Sequence, residues 1–361
     1  MSTAITITTI NKPTVIESYL INIQKYEHEN VEMIVVGDKK TPSGVSEYCD
    51  SLSKQGSTIV RYYDVDNQIN YLKKFPDLNN YLPYNSFSRR NIGDLLAYEE
   101  GFSTIIRVDD DNFPTDDDFI RMHDIVGKGI ETEVLKSENG WYNICDELID
   151  EENIPFYPRG FPYSKRWSSD KLSTNSSKVK VVLNAGLWLG DPDIDAITRL
   201  CKPINAIKYK KTYGNTFALD KGTWCPINTQ NTSYSREIIP ASFVPPNVGR
   251  YDDIWSGYLL RKITDHFDHY VTYGSPLLFQ KRNVHNLWVD LENEINGNIY
   301  TDHLINTMNT IQLSGTSYTD CYYELASKLD TNLSENRTVF DPVIKGMKIW
   351  SEAINSFSGG T

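Results

Sequence analysis

The chain has 361 residues and a formal net charge of −12. This acidic balance argues against a general nucleic-acid binder, because no basic excess is present to neutralise phosphates. No stretch approaches the length of a membrane span, no signal sequence opens the chain, and the five scattered cysteines form no Cys-x-x-Cys pair. The composition therefore predicts a cytoplasmic protein without a transmembrane segment, in a reducing compartment and with one large core or two modest ones.

Four apolar, β-branched runs in the first third of the chain predict the strands of a sheet. They are residues 4–10, 31–36, 57–63 and 103–108. Helical patterns separate these runs, the first beginning after Thr14 and the others covering 43–52 and 90–100. Strands that alternate with helices are typical of an α/β fold with a doubly wound, mostly parallel sheet.

The remainder of the chain is predicted to extend this sheet and then to become helical. A segment rich in Pro, Ser, Tyr and Arg at 153–178 predicts a long functional loop or lid. Further elements are predicted in chain order: a strand at 179–183, helices at 194–200 and 252–266, and a strand at 270–273. We therefore expect an α/β domain over residues 1–299 and a helical C-terminal extension over residues 300–361.

Three adjacent carboxylates, Asp109, Asp110 and Asp111, directly follow the fourth predicted strand, and Pro114 prevents the strand from continuing. Adjacent carboxylates repel one another unless a cation lies among them, and ligands bind at this end of the strands in open α/β sheets. Mg²⁺ or Mn²⁺ is often shared between one or two carboxylates and the phosphates of a substrate. We hypothesise a metal and diphosphate site here, and the alternative is a solvated acidic turn.

Two common nucleotide-binding motifs are absent from the chain. Neither Gly-x-Gly-x-x-Gly after the first strand nor a Gly-Lys-Ser/Thr loop is present, so hydride transfer and P-loop phosphoryl transfer lose support. A fold that binds a nucleotide diphosphate through a metal on the aspartate triplet remains.

Three other positions carry candidate chemistry. Arg89 opens the helix before the triplet, where a cation opposes the helix dipole unless an anion compensates, so it is either a phosphate-binding or base-binding residue or a solvated surface residue. Asp252 and Asp253 begin a predicted helix and are either caps or a general base with an orienting carboxylate. His285 follows a late strand and is a candidate for an additional metal ligand.

Several stretches together resemble the plant reversibly glycosylated polypeptides, whose known activity is UDP-arabinopyranose mutase, and the related STELLO-type glycosyltransferases. The similar stretches are 109–111 (Asp-Asp-Asp), 158–164 (Pro-Arg-Gly-Phe-Pro-Tyr-Ser), 184–196 (Asn-Ala-Gly-Leu-Trp-Leu-Gly-Asp-Pro-Asp-Ile-Asp-Ala), 250–257 (Arg-Tyr-Asp-Asp-Ile-Trp-Ser-Gly) and, more weakly, 222–237. They keep the order of the family and cover roughly residues 85–290. Around 280–285 the family's Trp-His-Ser-Lys run is not reproduced.

The resemblance implies a glycosyltransferase fold of the GT-A type, a UDP-sugar donor, and Mn²⁺ or Mg²⁺ on Asp109 and Asp111. It also implies that Arg159 lies at the position of the family's reversibly glycosylated arginine. On this basis residues 1–299 would form a nucleotide-sugar-binding catalytic domain.

The first hypothesis for function is a metal-dependent glycosyltransferase that passes a sugar from a UDP-sugar to a carbohydrate acceptor. In it, Asp253 would be the base on the acceptor hydroxyl and Asp252 would orient that hydroxyl. Residues expected to bind the donor are Thr9, Asp38, Arg89 and Asp110 around the nucleotide, and Asn184, Gly186 and Trp188 around the sugar.

Two further hypotheses for function stay open, and under every hypothesis the protein could form a homo-oligomer. The second is a mutase that interconverts the pyranose and furanose forms of a UDP-sugar, with Arg159 as a transient glycosyl carrier. The third is a non-catalytic subunit that keeps the fold and partners an active homologue.

Overall fold

The computed structural model describes residues 2–167 and 170–357. Within these ranges the strands are β1 Thr3–Thr8, β2 Val31–Val36, β3 Ile59–Tyr63, β4 Thr104–Asp109, β5 Asn112–Pro114, β6 Lys128–Ser137, β7 Leu148–Asp150, β8 Leu172–Gly190, β9 Ala206–Tyr209, β10 Thr216–Leu219, β11 Asn231–Ser235 and β12 Tyr270–Gln280. The helices are α1 Val15–Lys25, α2 Val45–Gln55, α3 Val65–Leu72, α4 Pro76–Tyr81, α5 Arg90–Glu99, α6 Phe119–His123, α7 Ala196–Cys201, α8 Asp252–His266, α9 Leu287–Thr310, α10 Tyr318–Asn332 and α11 Arg337–Asn355.

The first half of the sheet is parallel and is covered on both faces. Strands β3, β2, β1 and β4 lie side by side in that order. Consecutive residues of β1 point to opposite faces, so Ala4 packs in a core with α5 whereas Ile5 packs in a second core with α1 and α2. Burial on both faces agrees with the apolar and β-branched composition of β1, β2 and β4. The predicted α/β fold is confirmed here.

The second half of the sheet is mixed. Strand β11 lies between β4 and β8 and is antiparallel to both, whereas β8 and β12 are parallel. Strand β8 is also antiparallel to β6 over ten residue pairs. The sheet is therefore parallel around the ends of β1, β2 and β4, and its mixed part supplies the opposite wall of the site described below.

Two stretches differ from the sequence expectation. The predicted loop at 153–178 ends early, because β8 already begins at Leu172 and forms a long hairpin-like pair with β6. Its first residues are polar and exposed on both faces, so no hydrophobic alternation marks them as a strand. Strand β12 continues beyond the predicted end at 273, because a register shift between Gly274 and Leu278 lets the pairing resume after Pro276.

The C-terminal helices share the core of the sheet domain. Helix α9 is continuous across residues 299 and 300, where we expected the extension to begin. Side chains of α10 and α11, such as Leu325 and Trp350, belong to the same hydrophobic cluster as α5. No helix in the described part of the chain is both long enough and apolar enough to cross a bilayer.

Candidate active site

A cavity of about 680 Å³ opens where β1, β2 and β4 end. The carboxyl ends of these strands are level, since Thr8 is paired with both Val36 and Asp109. Nine of the residues predicted from the sequence line this cavity: Thr9, Asp38, Asp109, Asp110, Asp111, Arg159, Asp252, Asp253 and His285. The described lining also includes residues that we did not predict, among them Gln230, Arg250, Gln280, Arg282, Asn283 and Asp193.

The three carboxylates of the aspartate triplet have different partners. Asp110 accepts hydrogen bonds from the Thr9 hydroxyl at 2.6 Å and from the side-chain amide of Asn11 at 3.2 Å. Asp109 accepts from Nη2 of Arg90 at 2.6 Å. Asp111 accepts from the side-chain amide of Asn112 at 2.8 Å and from the backbone N–H of Asn283 at 3.2 Å, and the side chain of Asn283 also donates to Asp110. Asp110 therefore joins the loop after β1 to the triplet, whereas Asp109 and Asp111 face the cavity with fewer partners.

The charges of Asp109 and Asp111 are poorly compensated. Burial raises the pKa of Asp109 to about 7, even though Arg90 opposes the shift, and the charge of Asp111 adds to it. Burial likewise raises the pKa of Asp111, against the hydrogen bond from Asn283. Two carboxylates held close together in this way would be relieved by a cation bound between them.

This pair of carboxylates fits a divalent cation that is shared with a substrate. Among the described residues, no group of three or more His, Cys, Asp or Glu side chains is arranged to hold a metal ion by itself. Mg²⁺ commonly takes only one or two carboxylates from a protein and its other ligands from phosphates and water. His285 lies on the cavity wall with Nδ1 3.1 Å from Asp290, which leaves Nε2 available as a further ligand.

Arg159 lies between two carboxylates at the inner end of the cavity. Its guanidinium donates to both oxygens of Asp193, at 3.0 and 2.9 Å, and to both oxygens of Asp253, at 3.0 and 3.2 Å. The fifth N–H donates to the backbone carbonyl of Arg250. Every donor of Arg159 is therefore bonded, and the side chain is only 8% exposed.

The two carboxylates determine the charge of Arg159. Burial disfavours the guanidinium charge, but Asp193 and Asp253 outweigh burial and raise the pKa of Arg159 well above its ordinary value. Burial also acts on Asp193, but Arg159 holds the pKa of Asp193 below its usual range. Arg159 is thus protonated in the absence of substrate, and two carboxylates accept hydrogen bonds from its guanidinium.

Asp252 has a different environment from its neighbour Asp253. Asp253 bonds Arg159 and accepts from the backbone N–H of Thr229 at 3.3 Å. Asp252 accepts from the backbone N–H of Asp253 at 2.8 Å, and burial together with the charge of Asp253 raises the pKa of Asp252 to about 7. Asp252 is therefore a carboxyl on the cavity wall that changes protonation near neutral pH.

Gly160 places Arg159 against helix α8. Its φ is +91°, and a Cβ added there would lie 2.4 Å from Cγ2 of Ile254. We expect Gly160→Ala to lower the free energy of unfolding by about 2–4 kcal/mol, from backbone strain and overpacking. The measurement is urea denaturation. Gly214→Ala is the matched control, because Gly214 has φ +88° with no atom within 4 Å of an added Cβ. Equal losses in the two variants would show that contact with Ile254 is unimportant.

Four predicted site residues lie outside the cavity lining. Arg89 is fully buried and donates to the side chain of Gln68 at 2.7 Å, whereas its neighbour Arg90 reaches Asp109. The other three, Asn184, Gly186 and Trp188, lie in the buried interior of β8. Asn184 donates to the carbonyl of Ser275 on β12 at 2.9 Å, and Gly186 allows a close approach of β11, because a Cβ there would lie 2.3 Å from the side chain of Asn231.

The sequence signal for the missed residues is weak. Asp193 belongs to an alternating acidic run, 191–195, in one of the stretches that carry the family resemblance, but nothing local distinguishes it from Asp191 or Asp195. Arg250 lies in a 3-10 turn directly before Asp252, in the stretch 250–257 that carries the family resemblance. Arg282 lies in the segment after β12, and only the folded chain brings it to the cavity.

Comparisons with known proteins agree on the family. The family model "Reversibly glycosylated polypeptide" matches residues 59–359. The chain is 29% identical over 267 residues to "UDP-arabinopyranose mutase 3" of Arabidopsis thaliana, covering 71% of this chain and 69% of that protein. It is 28% identical over 257 residues to "UDP-arabinopyranose mutase 2" of the same plant, covering 69% of this chain and 67% of that protein.

Similar solved structures have low TM-scores. "S. aureus TarS 1-349" gives a TM-score of 0.37 at 8% identity, covering 100% of this chain and 92% of that one. The mannosyltransferase PcManGT from Pyrobaculum calidifontis, in complex with GDP-Man and Mn²⁺, gives 0.37 at 9% identity, covering 99% and 87%. The family assignment depends instead on the family model, which spans most of the sequence. This chain belongs to the reversibly glycosylated polypeptide family.

Proposed function

We propose that the protein is a mutase that interconverts the pyranose and furanose forms of a UDP-sugar, with Arg159 as the transient carrier of the sugar. The observation that carries this proposal is the position of Arg159 on the cavity wall between Asp193 and Asp253. Relatives named UDP-arabinopyranose mutase favour this function over transfer to a separate acceptor. We further propose that the α/β domain is of the GT-A type, because its aspartate triplet ends a parallel strand at the cavity.

A protonated arginine is a poor nucleophile, so its proton must leave while the new bond forms. As a terminal nitrogen of Arg159 bonds to the anomeric carbon, the bond from that carbon to the diphosphate oxygen breaks. The electron pair of that bond leaves with UDP, and the N–H proton passes to Asp253, which already accepts from both terminal nitrogens. Asp193 keeps the guanidinium in place, because Arg159 lowers the pKa of Asp193 and both of its oxygens accept from Arg159.

The attached sugar can then change its ring. The nitrogen of Arg159 donates its electron pair to the anomeric carbon as the ring C–O bond breaks, and the ring oxygen takes the proton held by Asp253. Another hydroxyl of the same sugar then adds to that carbon, the electron pair returns to the nitrogen, and the hydroxyl proton passes to Asp253. Reversal of the first step returns the sugar to UDP. The cavity must therefore retain UDP throughout, and no external acceptor takes part.

Asp109 and Asp111 would hold Mn²⁺ or Mg²⁺ together with phosphate and water ligands, and the ion would neutralise charge on the departing diphosphate. Thr9 and Asp38 line the part of the cavity nearest β1 and β2, where we place the nucleoside. Asp38 also stabilises this part of the cavity wall, because it accepts hydrogen bonds from the backbone N–H groups of Lys39 at 2.7 Å and Ser86 at 3.2 Å.

The rate of isomerisation is expected to depend on pH through Asp252. The raised pKa of Asp252, about 7, means that this carboxyl is protonated below neutral pH and cannot accept a proton passed on from Asp253. We expect kcat/KM to rise as pH increases from about 6 to 8 and to level off above that range. Asp252→Asn should lower the plateau and remove the rise. A variant that keeps the wild-type pH profile would show that another group is responsible.

The test of the proposed function is incubation with UDP-arabinopyranose and Mn²⁺, followed by chromatography of the nucleotide-sugars and intact-protein mass spectrometry. We expect a second UDP-pentose without net release of UDP, and a pentose-sized adduct on the protein. Release of UDP that rises with an added carbohydrate acceptor, without an isomer, would establish a transferase instead. If no isomer forms, no adduct is detected and UDP binding does not depend on metal, the hypothesis of a non-catalytic subunit would remain.

A further inference from the structure

Arg282 lies in a segment that is bonded directly to the aspartate triplet. The backbone N–H of Lys281 donates to the carbonyl of Asp111 at 2.9 Å. Asn283 donates to Asp111 through its backbone at 3.2 Å and to Asp110 through its side chain at 3.2 Å. The side chain between these two anchors, that of Arg282, is 11% exposed and lines the cavity. A ligand that contacts Asp111 is therefore within reach of Arg282.

The two carboxylates nearest to Arg282 are also paired with other arginines. Its Nε lies 3.2 Å from Asp191 and its Nη2 lies 4.0 Å from Asp193. Asp191 also pairs with Arg199, and Asp193 is held by Arg159. Each carboxylate near Arg282 is therefore also paired with a second arginine, and burial together with the charge of Arg199 lowers the pKa of Arg282.

The hydrogen-bond donors of Arg282 are also poorly used. Its Nη2 donates to the carbonyl of Pro192 at 3.5 Å and, in the side-chain orientation of Gln280 that satisfies its neighbours, to the amide oxygen of Gln280 at 3.3 Å. The buried Nε–H has no well-directed acceptor. Arg159, in contrast, has all five donors bonded, and Arg250 is paired with Glu294 and Asp290. Arg282, which lies beside Asp111, therefore has N–H donors that a ligand in the cavity could bond.

We infer that Arg282 binds the terminal phosphate of a nucleoside diphosphate and retains it while the sugar is detached. A guanidinium binds phosphate through two parallel hydrogen bonds, and here it would do so in a largely water-excluded wall. The negative charge on that phosphate grows when its bond to the sugar breaks, so the interaction strengthens at that step. The inference rests on the proposed function only for the identity of the ligand, a UDP-sugar.

The test is calorimetric titration of the full chain with UDP, UMP and uridine in the presence of Mn²⁺. We expect Arg282→Met to weaken UDP binding by about 10- to 100-fold while uridine binding is unchanged, as for loss of charge-assisted hydrogen bonds. Arg282→Lys should recover part of the loss. Lys281→Met is the matched control, because it removes the same charge from an exposed neighbouring side chain outside the described lining.

The outcomes separate this inference from the proposed function. If the affinities for UDP and for uridine fall by the same factor in Arg282→Met, or if neither affinity changes, the inference is overturned. This holds whatever the isomerisation assay gives. If the preference for UDP over uridine depends on Arg282 but no isomer forms, the inference stands and the mutase proposal fails. If the wild-type chain does not prefer UDP over uridine, the inference also fails. Thermal melts of each variant identify any loss that comes from unfolding.

Discussion

Arg159→Lys is expected to reduce the rate of UDP-sugar isomerisation by about three orders of magnitude or more and to abolish the sugar adduct on the protein. A lysine ammonium has three donors on one nitrogen and cannot bond Asp193, Asp253 and the carbonyl of Arg250 in the geometry that the guanidinium uses. The amine that replaces the terminal nitrogens of Arg159 would therefore lie away from the anomeric carbon. The affinity for UDP should fall by a far smaller factor than the rate of isomerisation.

The measurement combines isomerisation rates, intact-protein mass spectrometry and UDP titration on the same preparation. Arg166→Lys is the matched control, because Arg166 is equally buried on the same loop but pairs with Asp195 and is not part of the described cavity lining. The control should keep the adduct. An adduct that persists in Arg159→Lys and Arg159→Ala would identify a different carrier. Loss of UDP binding in step with the rate would make Arg159 a phosphate-binding residue.

Asp111→Asn is expected to weaken Mn²⁺-dependent binding of UDP by about 100-fold or more, and to make the remaining binding insensitive to a chelator. Burial raises the pKa of both Asp109 and Asp111, and nearby carboxylates add to each shift: Asp111 acts on Asp109, and Asp110 acts on Asp111. A bound cation would offset this excess of negative charge. Replacing one carboxylate by an amide removes both a ligand and half of the charge that attracts the ion. Asp109→Asn should act in the same direction, and it also frees Arg90.

The measurement is the affinity of the protein for UDP, obtained by titration in the presence of Mn²⁺, in the presence of Mg²⁺ and after addition of a chelator. Asp117→Asn is the control, because Asp117 belongs to the same acidic stretch but is exposed and outside the described lining. UDP binding that is equally tight with and without metal in the wild-type chain would contradict the metal hypothesis and favour the solvated acidic turn.

Local sequence was a poor guide to which buried polar residues face the cavity. Asn184 and Trp188 belong to the stretch that most resembles the family, yet both are buried in β8, and Asn184 bonds the carbonyl of Ser275 on β12. A short motif shows that a stretch is similar, but it does not show whether its side chains face a cavity or a core. The same holds for Arg89 and Arg90, since consecutive helical residues point about 100° apart and only Arg90 faces Asp109.

The sequence by itself determined the parallel half of the sheet and the aspartate triplet at its edge. Apolar runs and alternating helices are local signals, and the change from Val108 to Asp109 marks the end of a strand without reference to any distant residue. Tertiary structure alone decided the rest of the site. Arg159 meets Asp193 and Asp253 across 34 and 94 residues of chain, and Arg282 reaches the triplet through a strand pairing that follows an irregular register. Such contacts depend on how the mixed strands pair, and no local pattern of residue types specifies that pairing.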